Sequence, residues 1–168
     1  PAASVPMERV LGGHSLLLAP TQFSATAPLK LQAKRLGFRA ATMPGFSPAM
    51  VPALRLDYTE VNRQVWRLKE LLDEATAADL AFVVDDDAGY HLHLDLRHRA
   101  AHASGGLLPA PGTAGNLPSG EAYIVPYEGE LEGDPTASAG VLPVQLGDEV
   151  VLFRVDGNRA RKILSHGP

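Results

Sequence analysis

Cysteine is absent from all 168 residues of the chain. This absence excludes disulfide bonds and thiol catalysis, and it is compatible with a reducing compartment such as the cytosol. No apolar run approaches the length of a membrane span, and the longest lies near Leu16–Ala19. The opening residues, Pro1–Ser4, have neither an initiator methionine nor the pattern of a signal peptide. We therefore predict a cytoplasmic protein with no membrane partner, and we expect a piece of a longer polypeptide.

An excess of positive charge is also absent, since 15 Lys and Arg residues face 19 Asp and Glu residues for a net charge of -4. No basic block occurs, so no electrostatic feature favours nucleic acid or an anionic membrane as a partner. Apolar residues make up 45% of the chain and charged residues 20%, which is typical of a globular protein. The length suffices for one sizeable core or for two small domains.

The first part of the sequence has the pattern of an α/β unit. Residues 15–19 form a short apolar run, residues 24–36 have helical spacing and end at Gly37, and residues 38–43 form a second apolar run. Two strands joined by a helix favour parallel pairing and a right-handed crossover. We therefore predict a βαβ-like arrangement here.

A second helix and a change of period follow. Asp57 and Glu60 form a capping-box pattern, after which apolar residues recur every three or four positions to about Ala75. From Leu80 onward the period is two, which predicts antiparallel strands. We place the strands at residues 80–84, 90–97, 141–146, 150–155 and 159–164, with turns at 85–89 and at Asp156-Gly157.

These patterns predict a fold class of α/β followed by mainly antiparallel β structure. Residues 1–78 would be the βαβ-like C-terminal part of an α/β domain. Residues 79–168 would be the first part of a β-rich catalytic domain, with the boundary within residues 76–79.

One stretch places a single carboxylate between a rigid turn and a strand. Residues 115–126 read Gly-Asn-Leu-Pro-Ser-Gly-Glu-Ala-Tyr-Ile-Val-Pro, with Glu121 directly after the Pro-Ser-Gly turn. Proline and turn residues restrict the backbone, so we expect the Glu121 side chain to be held in place. Catalytic and ligand groups concentrate on loops that a rigid scaffold carries. The alternative is an exposed acidic residue that opens a strand.

This stretch resembles the Asn-[Leu/Met]-Pro-x-Gly-Glu signature of the aminopeptidase T (leucyl aminopeptidase) family of thermophilic metallo-aminopeptidases. Other elements of that family are similar to four further stretches, in the same order: residues 43–46 (Met-Pro-Gly-Phe), 54–58, 93–96 and 101–106. The resemblance implies a hydrolase, a peptidase that removes N-terminal residues from peptides. It also implies a homodimer and a water molecule activated by two divalent metals, zinc or cobalt, with Glu121 as one metal ligand.

The resemblance does not supply a complete site. The family's other ligands (a second glutamate, two histidines and an aspartate) and its catalytic tyrosine lie downstream of the signature, beyond this chain. Glu121 alone can be carried over, and a catalytic zinc usually has three protein ligands. We therefore expect the chain to be inactive alone, to bind no metal tightly, and to associate with a C-terminal segment outside it. The alternative is a non-catalytic module of the same fold that binds a peptide or a protein.

A third hypothesis is a local metal site at His91, His93 and Asp95. Alternate residues of a strand share one face, and His-x-His with a carboxylate suits zinc. The competing interpretation is the solvated face of a half-buried strand, which Arg97 would continue.

Two further groups have both a functional and a structural interpretation. His98 and His102, four residues apart, either line a cleft or are hydrogen-bonded loop histidines. An acidic loop either attracts the amino group of a substrate or is a solvated loop. Its residues are Glu128, Glu130, Glu132 and Asp134.

Overall fold

The computed structural model describes residues 5–84 and 88–165, so Asp85–Asp87 of the predicted turn lie outside the described residues. The α-helices are Met7–Leu11 (α1), Thr26–Leu36 (α2) and Tyr58–Glu74 (α3), and Pro48–Arg55 forms a 3₁₀-helix. The strands are Leu16–Thr21 (β1), Arg39–Pro44 (β2), Ala77–Val84 (β3), Ala88–Asp95 (β4), His102–Ser104 (β5), Ala114–Asn116 (β6), Glu121–Tyr123 (β7), Ala139–Leu146 (β8), Glu149–Asp156 (β9) and Arg159–Ile163 (β10).

The chain divides into two compact units. The first contains the residues up to Leu68 together with Ala103–Ala122, and the second contains Lys69–His102 and the residues from Tyr123 onward. The predicted division into domains at residues 78 and 79 stays a prediction.

The predicted fold class, α/β followed by mainly antiparallel β structure, is wrong. The described residues form ten strands and only three α-helices, so the chain is predominantly β. The helical periodicity predicts α2 and α3 correctly. The predicted fold class is wrong because it was based on these helices more than on the strands. Three strands of three residues each, β5, β6 and β7, are too short to produce a period-two signal.

The first unit contains a parallel sheet of strand order β1-β2-β6. Helix α2 covers one face, where Leu29 and Ala33 pack against Phe38 and Ala40. Gly37 ends α2 in the left-handed conformation, at a φ of 78°, as the glycine stop predicted. The α2 helix and the parallel pairing of β1 with β2 are confirmed.

Helix α3 begins at a side-chain cap. Asp57 Oδ1 accepts hydrogen bonds from the backbone N–H groups of Thr59 at 2.9 Å and Glu60 at 3.4 Å. These bonds satisfy two of the N–H groups that a helix start leaves unpaired. The predicted capping function of Asp57 is confirmed.

The second unit contains an antiparallel sheet of strand order β10-β9-β8-β4-β3. A hairpin joins β9 to β10, as predicted, but its turn residues are Gly157 and Asn158, because Asp156 is the last residue of β9 and pairs with Arg159. Strands β4 and β8 pair at Leu92 with Gly140 and at His93 with Ala139. Glycine is required at residue 140, because a Cβ atom there would lie 2.8 Å from Leu92 Cα. This close approach joins the two halves of the sheet.

Asp95 ends β4 and is buried, with 2% of its surface exposed. Its carboxylate accepts hydrogen bonds from Arg97 Nη2 at 2.8 Å, from Arg97 Nε at 3.0 Å and from the Ala137 backbone N–H at 2.9 Å. Its backbone carbonyl accepts a bond from the Tyr127 N–H at 2.8 Å. The interpretation of Asp95 as part of a solvated face is therefore wrong, because Arg97 allows the carboxylate to be buried.

Replacing Asp95 with asparagine should lower the free energy of unfolding by about 3 kcal/mol, because it removes the charged partner of Arg97 from a buried site. Urea denaturation followed by circular dichroism measures the change. The matched control is Asp79→Asn, since Asp79 pairs with His93 at the surface. This control should stay within about 0.5 kcal/mol of the wild type. Equal losses of unfolding free energy in the two variants would contradict the conclusion that the buried Asp95 carboxylate stabilises the fold through Arg97.

The stability that Asp95 contributes should depend on pH. The Arg97 guanidinium holds the pKa of the Asp95 carboxyl far below its ordinary value. Such a group stabilises the fold above its unfolded-state pKa, about 3.9, and loses this contribution as the pH falls towards its folded-state pKa. The difference in unfolding free energy between wild type and Asp95→Asn should be constant above about pH 5 and should shrink below about pH 4. A difference that stays constant down to about pH 2 would contradict this linkage.

Candidate functional site

The Glu121 loop borders a pocket in the first unit. The cavity has a volume of about 400 Å³ and is lined by Asn116, Pro118, Ser119, Gly120 and Glu121. Glu121 is exposed at the start of β7. A carboxylate at the edge of a small cavity can bind a cation or accept hydrogen bonds from a ligand.

Two serine hydroxyls tie this loop to β5. Ser119 Oγ donates a hydrogen bond to the Ser104 carbonyl at 2.7 Å and lies 2.8 Å from Ser104 Oγ. The next residue, Gly105, packs closely against α3, because a Cβ atom there would lie 2.8 Å from Asn62 Cα. The loop is therefore held by tertiary contacts as well as by its Pro-Ser-Gly turn.

Asn116 fixes the start of the loop through two threonines. Asn116 Oδ1 lies 2.6 Å from Thr26 Oγ1 and 2.7 Å from Thr42 Oγ1, and the two hydroxyl oxygens are 2.8 Å apart. Thr42 is fully buried in β2, beside Asn116 in β6. The Thr42 carbonyl also accepts a bond from the Leu117 N–H at 3.0 Å. These contacts join the loop to α2 and β2.

Sequence reasoning singled out the stretch that contains Asn116 but missed both threonines. One signal was present, because Thr42 is a hydroxyl residue within an otherwise apolar strand pattern. A buried hydroxyl needs a hydrogen-bond partner, so Thr42 indicated a polar contact in the core. The partner could not be identified, since Asn116 lies 74 residues further along the chain.

The structure does not bring the predicted histidine site together. His93 Nδ1 lies 2.8 Å from Asp79 Oδ1, while the Asp95 carboxylate is bound by Arg97. Within residues 5–84 and 88–165, no group of three or more metal-ligating side chains could hold a metal ion. The hypothesis of a local metal centre at His91, His93 and Asp95 therefore has no geometric support.

His98 and His102 have separate structural contacts. His98 Nε2 lies 2.8 Å from Asp134 Oδ2, and its ring packs in a T-shaped arrangement with the Tyr127 ring at a centroid distance of 5.0 Å. The ring of His102 stacks on Tyr123 at 5.1 Å. The two histidines therefore do not share a ligand position.

Part of the acidic loop is engaged by cations within the second unit. Asp134 binds Arg97 Nη1 at 3.0 Å, and Glu130 pairs with Arg99. Hydrogen bonds from His98 and Arg97 hold the pKa of the Asp134 carboxyl below its ordinary value. These two carboxylates therefore support the loop structurally instead of facing a substrate.

The residues of this chain do not fit a complete metal site by themselves. Glu121 offers oxygen ligands, but a catalytic metal needs about three protein ligands. The assignment of Glu121 as a metal ligand stays a prediction, as do the homodimer and the association with a further segment. In the described part of the chain, no helix is long and apolar enough to cross a membrane. The cytoplasmic location stays a prediction.

Comparison with known proteins finds a solved structure with a similar fold but no matching sequence family. No protein-family model matches the chain, and no curated protein matches its sequence. The fold is similar to that of a solved structure of 2,5-dihydroxypyridine dioxygenase from Pseudomonas putida, with a TM-score of 0.66 and 18% sequence identity. The likeness covers 93% of this chain and 44% of the dioxygenase chain. This chain therefore spans less than half the length of that protein, and the likeness concerns the fold alone.

These comparisons overturn the resemblance to the aminopeptidase T family. No family model supports it, and the structural likeness is to a dioxygenase. The predicted hydrolase and its peptidase function are therefore wrong, whereas the peptide partner stays an untested prediction. The short Pro- and Gly-containing motifs misled the assignment because they specify turn geometry, which unrelated activities can share. A divalent metal is still compatible with the likeness, because proteins often carry oxygen chemistry on metal ions.

Replacing Gly105 with alanine should lower the free energy of unfolding by about 2 kcal/mol, because the added methyl group meets the backbone of Asn62. Thermal and urea denaturation measure this loss. Gly89→Ala is the control, since its Cβ would meet only His91 Nε2 at 3.9 Å. Equal stability of the two variants would show that Gly105 is not packed against α3 as described.

Proposed function

We propose that this chain forms part of a metal-dependent oxygenase and that the Glu121 pocket belongs to its active site. The fold similarity over 93% of the chain to a dioxygenase supports this reaction class. Since fold alone does not determine function, the proposal also depends on the chemistry of the pocket.

The pocket has the size and the support expected of a small-molecule site. Its volume, about 400 Å³, falls in the range of ligand cavities. Its loop is anchored at one end by Asn116 and near the other by Ser119. A carboxylate carried on such a loop loses little freedom when it binds a ligand, which favours tight and oriented binding. The similar protein is a dioxygenase of 2,5-dihydroxypyridine, and we propose a small ring with polar substituents as the class of substrate here as well.

Glu121 supplies one carboxylate for a divalent metal in this proposal. Non-haem iron(II) oxygenases commonly use two histidines and one carboxylate, with open positions for the reactants. The two further ligands would come from residues outside this chain, in the same polypeptide or in a second copy. The metal would supply the oxygen chemistry, while Glu121 holds it and the pocket orients the ring. Metal analysis then distinguishes iron from the zinc or cobalt that the family resemblance implied.

Glu121→Gln in the natural-length protein should reduce both the bound metal and oxygen uptake by at least about tenfold, because a neutral amide is a weak metal ligand. Metal is measured by mass spectrometry, and oxygen uptake is measured with 2,5-dihydroxypyridine as the probe. Glu149→Gln is the matched control, since Glu149 lies at the β8–β9 turn in the second unit.

Three outcomes separate the parts of the proposal. Loss of metal and oxygen uptake in Glu121→Gln, with neither lost in Glu149→Gln, supports it. Unchanged metal content in Glu121→Gln removes Glu121 from the site. A wild-type protein that holds metal but takes up no oxygen with this probe or with catechol contradicts the oxygenase function.

A further inference from the structure

The hydrogen-bond contacts around Asn116 require more donor protons than are available when its side-chain carbonyl faces Thr26 and Thr42. Thr26 Oγ1, Thr42 Oγ1 and Asn116 Oδ1 form a triangle with sides of 2.6, 2.7 and 2.8 Å. Thr26 Oγ1 also lies 3.1 Å from Ser24 Oγ, and Thr42 Oγ1 lies 3.2 Å from the Gly115 carbonyl. All five contacts are within hydrogen-bond distance, and each needs one proton.

With the Asn116 carbonyl facing the threonines, only three hydroxyl protons are available. They come from Ser24, Thr26 and Thr42, because each hydroxyl donates once and a carbonyl oxygen only accepts. At least one side of the triangle would then join two oxygen atoms at 2.8 Å or less with no proton between them. Such a contact within a half-buried cluster is repulsive.

Turning the amide over supplies the missing protons. The Asn116 amide nitrogen then donates one proton to Thr26 and one to Thr42. Thr26 donates to Thr42, Thr42 donates to the Gly115 carbonyl, and Ser24 donates to Thr26. Every contact then has one proton, and no hydroxyl accepts more than two bonds. Amide orientation is properly decided by this kind of network.

The outward amide atom has a distinct environment. It has no hydrogen-bond partner in the described part of the chain. It is also not among the buried polar atoms without a partner there, which are Gln32 Oε1 and Arg99 Nε. The outward atom is therefore accessible to water, and Asn116 borders the same pocket as Glu121.

We propose that Asn116 donates its amide protons to Thr26 and Thr42 and presents its carbonyl oxygen to the pocket. With the Glu121 carboxylate, the pocket then offers two side-chain acceptors. Ligands that donate hydrogen bonds, such as ring hydroxyl groups, are favoured over ligands that carry a carboxylate. This preference rests on the proposed function of the pocket, whereas the orientation of Asn116 does not.

The orientation is tested by NMR on the ¹⁵N-labelled chain without ligand. The side-chain NH₂ signal is assigned from its loss in Asn116→Asp. Both protons should show nuclear Overhauser effects to the methyl groups of Thr26 and Thr42. Their exchange with water should be at least about tenfold slower than that of Asn158 in the β9–β10 turn. Fast exchange without contacts to either threonine would overturn the orientation.

A variant tests the same assignment independently. Thr42→Val keeps the shape of the side chain and removes one acceptor, so the Asn116 NH₂ exchange should accelerate by at least about fivefold. An unchanged rate in a folded variant would overturn the proposed bond. If this variant fails to fold, the wild-type measurement still decides.

The ligand preference is tested by titration of the natural-length protein, stripped of metal with a chelator, with catechol and with benzoate. Catechol should bind at least about tenfold more tightly, because benzoate places a carboxylate against two acceptors. Equal affinities would overturn the preference for donors even if the NMR result supports the orientation. Neither measurement uses oxygen uptake, so a failure here is separate from a failure of the oxygenase proposal.

Discussion

The second unit depends on the burial of one carboxylate. Asp95 is removed from water at the end of β4, and the cost of that desolvation is offset by Arg97 and the Ala137 N–H. Arg97 also binds Asp134, which brings the segment before β8 to the end of β4. The carboxylate therefore fixes the path of the chain between β7 and β8.

In the first unit, neutral hydrogen bonds hold the Glu121 loop in place. Asn116 binds Thr26 and Thr42, and Ser119 binds Ser104, so the loop that contains them is held at both ends. These bonds leave the Glu121 side chain exposed beside the pocket. The difference between the two carboxylates follows from their partners. Asp95 is neutralised by an arginine and is structural, whereas Glu121 remains exposed at a cavity.

Local signals in the sequence predicted several elements correctly. The cap at Asp57, the α2 helix and the β9–β10 hairpin depend on neighbouring residues, so the sequence carries their patterns. The short strand β6 depends on pairing with β2, and its three residues carry no periodic signal. The burial of Asp95 also had no local signal in the sequence, because the alternation of strand residues placed Asp95 on the same face as His91 and His93. The function inferred from the family resemblance was wrong because the shared motifs specify turn geometry, which proteins with different activities can have in common.

Locating a bound metal ion tests most directly whether Glu121 belongs to an oxygenase site. We would collect anomalous diffraction at the iron edge from crystals of the natural-length protein grown anaerobically with iron(II). An anomalous peak at about 2.0–2.2 Å from a Glu121 carboxylate oxygen, with two histidine ligands from outside this chain, is the predicted result. A peak at other residues, or no peak in crystals that contain iron, would contradict it.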